Sequence, residues 1–483
     1  MGKAVVFGAL AVVVLGGAYA GAAAYSGNVV QKEYETAFDK MTQTLPFLKV
    51  VDRKYDKGLL SATVTYSLQL GCPSPAGEAG AKPVTLTLRD DIAHGPLPGF
   101  ASAGLARIDT RIVLPPEAPE SLRKWVDSMK PDAIRTVIGF DGAMSVNVAL
   151  PEGEITDKDA RVRWKALRGA FRMNGAHTII NDEYEVPEIA FEAAKEGNTV
   201  GFKLVNLRGQ STGAFTKDSF IGSGSGAGTI DLIQIASARE HLLIEVNQIK
   251  LAATKKVDND FLDTSASLIG AANVKVGERV FKFDKIELQE SMKRLHAPTL
   301  NKIALKFWQE LGGMCDAPPE DIADSVEKKQ AELLAGMKEL LPYNPEYSVD
   351  KIAVTFAGQE GMLAYSVGAN GVTGEDLQQP DMHFLPAKII AKASVRLPIA
   401  WLKKIVTETN PGKELPQAAV DAAIGDMVNT GYVVREGDFL TSAALFEHGQ
   451  LTVNGTPVDS SALFGLAPPE QPDGGEEENK DAE

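Results

Sequence analysis

The sequence predicts an α+β fold: a single N-terminal transmembrane helix followed by a large, curved, mostly antiparallel β-sheet body with helical insertions. Two observations carry this prediction. Residues 4–30 include no charged side chain, and much of the remaining chain alternates apolar and polar residues with a period of two. This period puts one face of a strand on a core and the other in water, so it indicates half-buried strands.

The apolar N-terminal segment is long enough to cross a bilayer. Its most apolar part, Ala4–Tyr25, has 22 residues. As a helix it would span about 33 Å, against about 30 Å for a hydrocarbon core. Lys3 precedes it, and a positive end stays in the cytoplasm, so the rest is expected on the far side. Ala18 and Ala20, and likewise Ala22 and Ala24, are small residues at the spacing of a cleavage site. They leave a cleaved signal peptide as the alternative for residues 1–30.

Strand-like alternation recurs along the chain and is clearest in Leu60–Leu70. Shorter alternating stretches occupy 84–88, 144–148, 161–165, 244–247 and 281–284. Glycine and proline separate them, which is typical of antiparallel strands joined by turns.

The pattern divides the chain into five parts. After the anchor, residues 31–297 are predicted to form a β-rich domain. A helical segment follows at 298–345, and residues 346–466 form an α+β part that completes the body. The segment Glu470–Glu483 contains seven acidic residues and one lysine. Residues 467–483 are therefore predicted to be a disordered acidic tail.

Charge and cysteine content exclude some function classes. The net charge of −15 argues against a nucleic-acid partner, which needs a basic footprint to replace counterions. Two cysteines cannot form a disulfide scaffold, and spacing does not decide whether Cys72 and Cys315 pair.

The most suggestive motif is His94–Gly95–Pro96, in which glycine frees φ and proline removes a donor, giving a tight turn. His94 could act as a base or ligand, or could bond local backbone at a strand end. The sequence shows no matching nucleophile or metal set, so these three residues are only weak candidates for a binding site.

Ser211 lies in Gly209–Gly213, which has the letters of a nucleophile elbow. That motif needs a preceding strand and a following helix, and no helical start follows here. The glycine-rich stretch Gly222–Gly228 lacks the lysine of a phosphate loop and precedes a strand-like segment. It is therefore interpreted as a flexible hairpin or bulge.

No metal site, catalytic set or cofactor is predicted. None of the six histidines is spaced to share a metal, and the cysteines are isolated. Asp381–His383 could touch a metal but is better explained as an exposed loop.

Several motifs occur in an order that resembles a known family. They are an Ala/Gly-rich anchor, then Tyr55–Ala62, the Ala93–Pro98 turn, and Gly449–Val458. Together they resemble the YdgA-like family of Gram-negative envelope proteins, a bacterial domain of unknown function. The resemblance implies a single-pass inner-membrane anchor and a periplasmic body, and it implies no activity.

One position departs from the family pattern. The turn usually follows an acidic residue, but here Ala93 precedes His94. A hydrogen bond from an acid to the ring would therefore have to come from Asp90 or Asp91.

The sequence thus predicts a non-enzymatic protein of the cell envelope. Its sheet would present an apolar groove to a lipid, a lipidated partner or another envelope protein. An uncharacterised periplasmic hydrolase using Ser211 or His94 is the alternative. The small-residue spacing of Gly17 and Gly21 also allows a homodimer through the anchor.

Overall fold

The computed structural model describes residues 18–458, except 37, 40–47, 71–83, 101, 117, 158, 196–197, 217–218, 220, 315–331, 380–382, 403 and 405–416. Most of the predicted anchor, both cysteines and the predicted acidic tail lie outside the described residues. Within the described part, no helix combines the length and the apolar character needed to span a bilayer.

The chain is mostly β-sheet with a few helices, which confirms the predicted α+β class. The helices are α1 (18–36), α2 (Glu120–Ser128), α3 (Ala297–Met314), α4 (332–338), α5 (Leu385–Lys388), α6 (399–402) and α7 (Gln417–Asn429).

The strands in the N-terminal half are β1 (Leu48–Lys57), β2 (Ser61–Leu70), β3 (Val84–His94), β4 (Ala106–Val113), β5 (Ile134–Ile138), β6 (Met144–Leu150), β7 (Gly153–Asp157), β8 (Ala160–Trp164), β9 (Leu167–Met173), β10 (Ile179–Lys195) and β11 (Asn198–Phe215). Those that follow are β12 (Gly222–Ser237), β13 (Leu242–Asp258), β14 (Phe261–Val276), β15 (Arg279–His296), β16 (Glu346–Phe356), β17 (Gln359–Ala369), β18 (Ile389–Pro398), β19 (Val434–Glu436), β20 (Phe439–Glu447), β21 (Gln450–Val453) and β22 (Thr456–Val458).

All of these strands join one antiparallel sheet. Neighbours follow chain order from β1 to β6, from β9 to β18, and from β20 to β22. β6 pairs with β9, β18 with β20, and the β7–β8 hairpin continues the line of β9 along β10. Because β15 pairs with β16, the sheet runs unbroken across the predicted helical segment.

Helix α1 covers one end of the sheet. Its residue Val30 is buried with Phe38 against apolar side chains of β2, β3 and β4, among them Val64, Ile92 and Ile108. Ala23 is also fully buried, about two helical turns before Val30. The helix therefore does not end at residue 30 but continues on the sheet to residue 36.

The C-terminal helices pack on the other end of the sheet. Ile399 of α6 and Ile424 of α7 are buried with Leu440 of β20. A smaller cluster of Ala369, Val372 and Phe384 covers the end of β17. Between these two ends lie the longest strands, β10–β15.

A line along which the strand register is irregular, here termed the crease, crosses these long strands. Two rows of partners bound it: Tyr184, Gly209, Gly228, Leu251 and Leu268 on one side, and Ile189, Leu204, Ile233, Val246 and Ala272 on the other. Between the rows, β10–β13 each hold one more residue than β14, and Asn206 and Gln248 have positive φ there. These are bulge-like positions, where an extra residue resets the alternation.

The crease decides which side chains share a face. Directly paired residues point to the same face, and β14 alternates without an extra residue, so Leu268 and Ala272 also share a face. Both rows therefore lie on one face of the sheet. Without the extra residues, the second row of β10–β13 would have moved to the opposite face.

Candidate functional site

The His94 turn lies beneath helix α1. The His94 side chain is only 1% exposed, and its Nδ1 lies 3.2 Å from the carbonyl oxygen of Leu59. A carbonyl only accepts, so Nδ1 carries the proton of the neutral ring and Nε2 does not. Nε2 has no hydrogen-bond partner among the described residues. Burial lowers the pKa of His94, because a charged ring would be poorly solvated there.

Glycines allow the close packing of this turn. A Cβ on Gly27 of α1 would lie 2.6 Å from the His94 ring, and one on Gly95 would overlap the carbonyl oxygen of Gly104. The Gly95 N–H donates to the carbonyl oxygen of Leu105 at 2.7 Å. The turn is therefore a docking point between helix and sheet, which supports the structural interpretation of His94–Gly95–Pro96.

A second contact between α1 and the sheet surrounds Asp90. Its carboxylate accepts hydrogen bonds from the Tyr34 hydroxyl of α1 and from Thr110 Oγ1, the latter at 2.6 Å. Burial raises the pKa of Asp90, and these hydrogen bonds oppose the shift. Burial also raises the pKa of Tyr34, with the Asp90 charge adding to it. The Tyr34 hydroxyl therefore stays protonated and remains a hydrogen-bond donor.

No hydrogen bond joins the His94 ring to Asp90 or Asp91. Asp90 accepts from Tyr34 and Thr110, while Asp91 pairs with Arg89 and Arg111 on the strand surface. The histidine is held by the Leu59 carbonyl instead. The departure from the family pattern at Ala93 therefore leaves the ring without an acidic partner among the described residues.

The long strands carry an extended apolar face. Its first row comprises Ile134, Val148, Gly169, Tyr184, Gly209, Gly228, Leu251, Leu268, Leu288, Ile352, Leu363 and Val395. The second, beyond the crease, comprises Trp164, Ile189, Leu204, Ile233, Val246, Ala272, Phe283 and Phe356. A third comprises Val162, Phe191, Phe202, Ile235, Ile244, Val274 and Phe281.

This apolar face is only partly covered within the described residues. Tyr184, Phe191, Ile235, Leu251 and Leu363 are each more than a third exposed. Single exposed apolar residues are ordinary, but rows of them on neighbouring strands mark an interaction surface.

A groove of about 480 Å³ runs along the apolar face beside the first row. Its floor is the backbone around Gln210, Ala227, Ala252 and Ser267. One wall is the first row from Tyr184 to Leu288, and the other is formed by Asp182, Ser211, Gly226, Ala253, Ala266 and Glu290. Crossing from β10 to β15, the groove is about 24 Å long, at roughly 4.8 Å per strand.

The opposite face of the same strands is polar. Arg172 pairs with Glu183 at 3.0 Å, and Arg208 pairs with Glu185 at 3.1 Å. Beyond the crease, Lys203 pairs with Glu188 at 3.1 Å. Such ladders of charge are compatible with water, so the two faces of the sheet differ sharply in character.

Ser211 is not on a nucleophile elbow. It lies within β11, where its hydroxyl donates to the Asp182 carboxylate across the strands. No turn into a helix follows, because β12 continues the sheet. Ser211 therefore contributes to a groove wall and does not have the strand–turn–helix geometry of a nucleophile elbow.

The glycine-rich stretch Gly222–Gly228 is not a hairpin. It forms the first part of β12, paired with β11 and β13, so that prediction was wrong. A Cβ on Gly224 would overlap the Thr212 carbonyl oxygen. The glycines thus permit close strand approach and leave the groove wall low at Gly226 and Gly228.

No group of three or more metal-binding side chains occurs in the part of the chain that the structure describes. The predicted loop at Asp381–His383 lies mostly outside it, since Asp381 and Met382 are not described.

The family assignment follows from the whole chain. A family model for a bacterial protein of unknown function, DUF945, matches residues 1–460. The chain belongs to the DUF945 family. The YdgA-like resemblance is confirmed, because it is the same family. No curated protein and no solved structure shows a significant match to this DUF945 chain.

Sequence reasoning missed two features of this DUF945 chain. The Tyr34–Asp90–Thr110 contact depends on three distant segments, so no local pattern predicted it. The apolar face was anticipated only as a groove of unknown position. Apolar and polar residues alternate on both sides of Pro187 and Asn206. The extra residue at each position shifts this alternation by one, so the sequence did not show that the apolar face continues across it.

Replacing Gly27 with alanine should loosen α1. The new Cβ would press on the buried His94 ring, and overpacking of this kind costs about 1–3 kcal/mol. Hydrogen exchange of residues 18–36 in the full-length chain should accelerate by roughly one to two orders of magnitude. Gly21→Ala is the matched control, because a Cβ there meets nothing within 4 Å. Equal exchange in the two variants would contradict the docking role.

Docking of α1 should also weaken on acidification. The pKa of His94 is lowered in the folded state, so the undocked form binds a proton first as the pH falls below about 6.5. Stability is therefore complete above that pH and is lost as the pH falls towards the folded-state pKa. The opening free energy of α1, from hydrogen exchange corrected for intrinsic rates, should fall between about pH 7.5 and about pH 5.5.

His94→Gln serves as the comparison for this pH dependence. Glutamine does not titrate, so the variant should lose the slope even if it is less stable throughout. An unchanged slope in His94→Gln would assign the effect to another group.

Proposed function

We propose that this DUF945 protein is a non-enzymatic, membrane-anchored protein of the cell envelope that holds lipid acyl chains on its apolar face. The anchor is the uncharged segment preceding and entering α1. The body would lie in the periplasm, with a single crossing of the bacterial inner membrane. The observation that carries the proposal is the partly uncovered apolar face with its groove.

The shape of the groove favours an alkyl chain over a globular partner. It is narrow, its floor is backbone, and its walls include Gly226, Gly228, Ala253 and Ala266. A length of about 24 Å exceeds half of a bilayer core of about 30 Å, so one acyl chain fits along it. Its volume also falls within the range of small-molecule sites, about 300–1,000 Å³.

Burial of the chain would supply the binding free energy. Each methylene removed from water contributes about 0.8 kcal/mol, before the entropic cost of association. The wall residues Asp182 and Glu290 are acidic, and Asp182 already accepts from Ser211. Carboxylates beside the groove favour a lipid whose polar part carries hydrogen-bond donors over a free fatty acid.

The predicted anchor supports a lipid ligand as well. A protein held at a bilayer meets lipid at high local concentration, which compensates for modest affinity. A lipidated or other envelope-protein partner and a homodimer remain as outcomes of the test below.

The test uses two neighbouring alanines that face opposite ways. Ala253→Trp would fill the groove, whereas Ala252→Trp places the same ring on the polar face. Both alanines are exposed on β13, so neither ring needs to enter a core. The full-length variants would be purified from membranes, and bound lipid quantified by mass spectrometry after thorough washing in detergent.

Ala253→Trp should lower co-purified lipid at least several-fold, while Ala252→Trp should match the unmodified chain. An unrelated single-pass protein of similar size sets the background. If all samples carry the background level of lipid, or if only a protein partner is lost from Ala253→Trp, the lipid-binding proposal fails.

A further inference from the structure

Loops that join neighbouring strands at one set of strand ends carry an exposed apolar cluster, here termed the rim. It comprises Leu59, Leu60, Leu97, Phe100 and Phe140, whose exposed fractions range from 45% to 79%. They belong to three connections: β1–β2, β3–β4 and β5–β6. Because β1–β6 are successive neighbours in the sheet, these connections lie side by side at the same strand ends.

Helix α1 begins its contact with the body at this rim. The Tyr19 hydroxyl donates to the carbonyl oxygen of Leu97 at 3.0 Å, and its ring stacks on Phe100 with centroids 5.6 Å apart. Further along α1, Gly27 meets His94 and Val30 meets the core of β2–β4. The helix therefore runs from the rim along the sheet, and its N-terminal end points outward past the rim.

The chain that precedes this end is apolar. Residues 4–17 carry no charge. Tyr19 and Phe100 are aromatic residues at the exit point, and aromatic side chains favour the boundary between water and hydrocarbon.

We propose that the rim rests in the outer boundary of the same bilayer that holds the anchor. This inference rests on the proposed anchor, not on the proposed lipid ligand. Leu59 and Phe100 enter the headgroup region, as the apolar side chains of interfacial segments do. The anchor and the rim together fix the body upright, with the strands leading away from the membrane.

The upright orientation places the groove near the bilayer. Neighbouring strands run in opposite directions, so β10, β12 and β14 each begin at the same set of strand ends as the rim. Asp182 and Tyr184, at one end of the groove, are only a few residues from the start of β10.

The test measures depth in the bilayer with single labels on the full-length chain. Cys72→Ser and Cys315→Ser remove the native thiols. One new cysteine is then introduced by Phe100→Cys or Leu59→Cys in the rim, by Leu10→Cys in the anchor, or by Glu278→Cys at the opposite strand ends. Each is labelled with an environment-sensitive fluorophore and reconstituted in vesicles of phosphatidylethanolamine and phosphatidylglycerol containing nitroxide lipids.

Labels at 100 and 59 should be quenched several-fold more by shallow nitroxides than the label at 278, and the label at 10 by deep nitroxides. If the label at 10 is quenched while both rim labels behave like 278, the rim inference is overturned and the anchor stands. If the label at 10 is not quenched either, the anchor itself fails.

Discussion

The continuous apolar face depends on the reset of strand alternation at the crease. A strand of 17 residues without it would put its apolar residues on one face before Pro187 and on the other face after it. The extra residues at Pro187, Asn206 and Gln248 keep them together. Asn206 also donates from Nδ2 to Asp231 at 2.7 Å, joining two of the creased strands. One sheet thereby gains a continuous apolar side and a charged side.

Helix α1 connects this sheet to the segment before it through close, specific contacts. Gly27 lets the helix approach the buried His94, and Tyr34 reaches the buried Asp90. Both contacts need neighbours from distant parts of the chain, so the helix can dock in only one register. His94 and Asp90, which suggested chemistry in the sequence, therefore hold the helix on the sheet. The surface with binding character lies elsewhere, on the apolar face of the long strands.

The local structure was largely predictable, whereas its assembly was not. Alternation in Leu60–Leu70 and 144–148 identified β2 and β6, because in each strand one face is less exposed than the other. It did not reveal that β10–β15 have 16–18 residues. In β10–β13 the extra residue at the crease breaks the period. Glycines at 222–228 indicated a flexible hairpin or bulge by propensity alone, but cross-strand pairing overrides propensity in a sheet centre. The groove could not be predicted, because its position depends on the register of six strands, and local sequence patterns do not specify that register.

Photocrosslinking in living cells can identify what lies against the apolar face. A photoreactive phenylalanine analogue would replace Leu268 on the apolar face or its neighbour Ser267 on the polar face. After irradiation, the intact mass of the purified chain identifies what lay within reach of each position. If lipid lies on the apolar face, adducts of lipid mass form at 268 and none form at 267. Protein adducts at 268, or equal lipid adducts at both positions, would contradict the proposal that this face holds lipid.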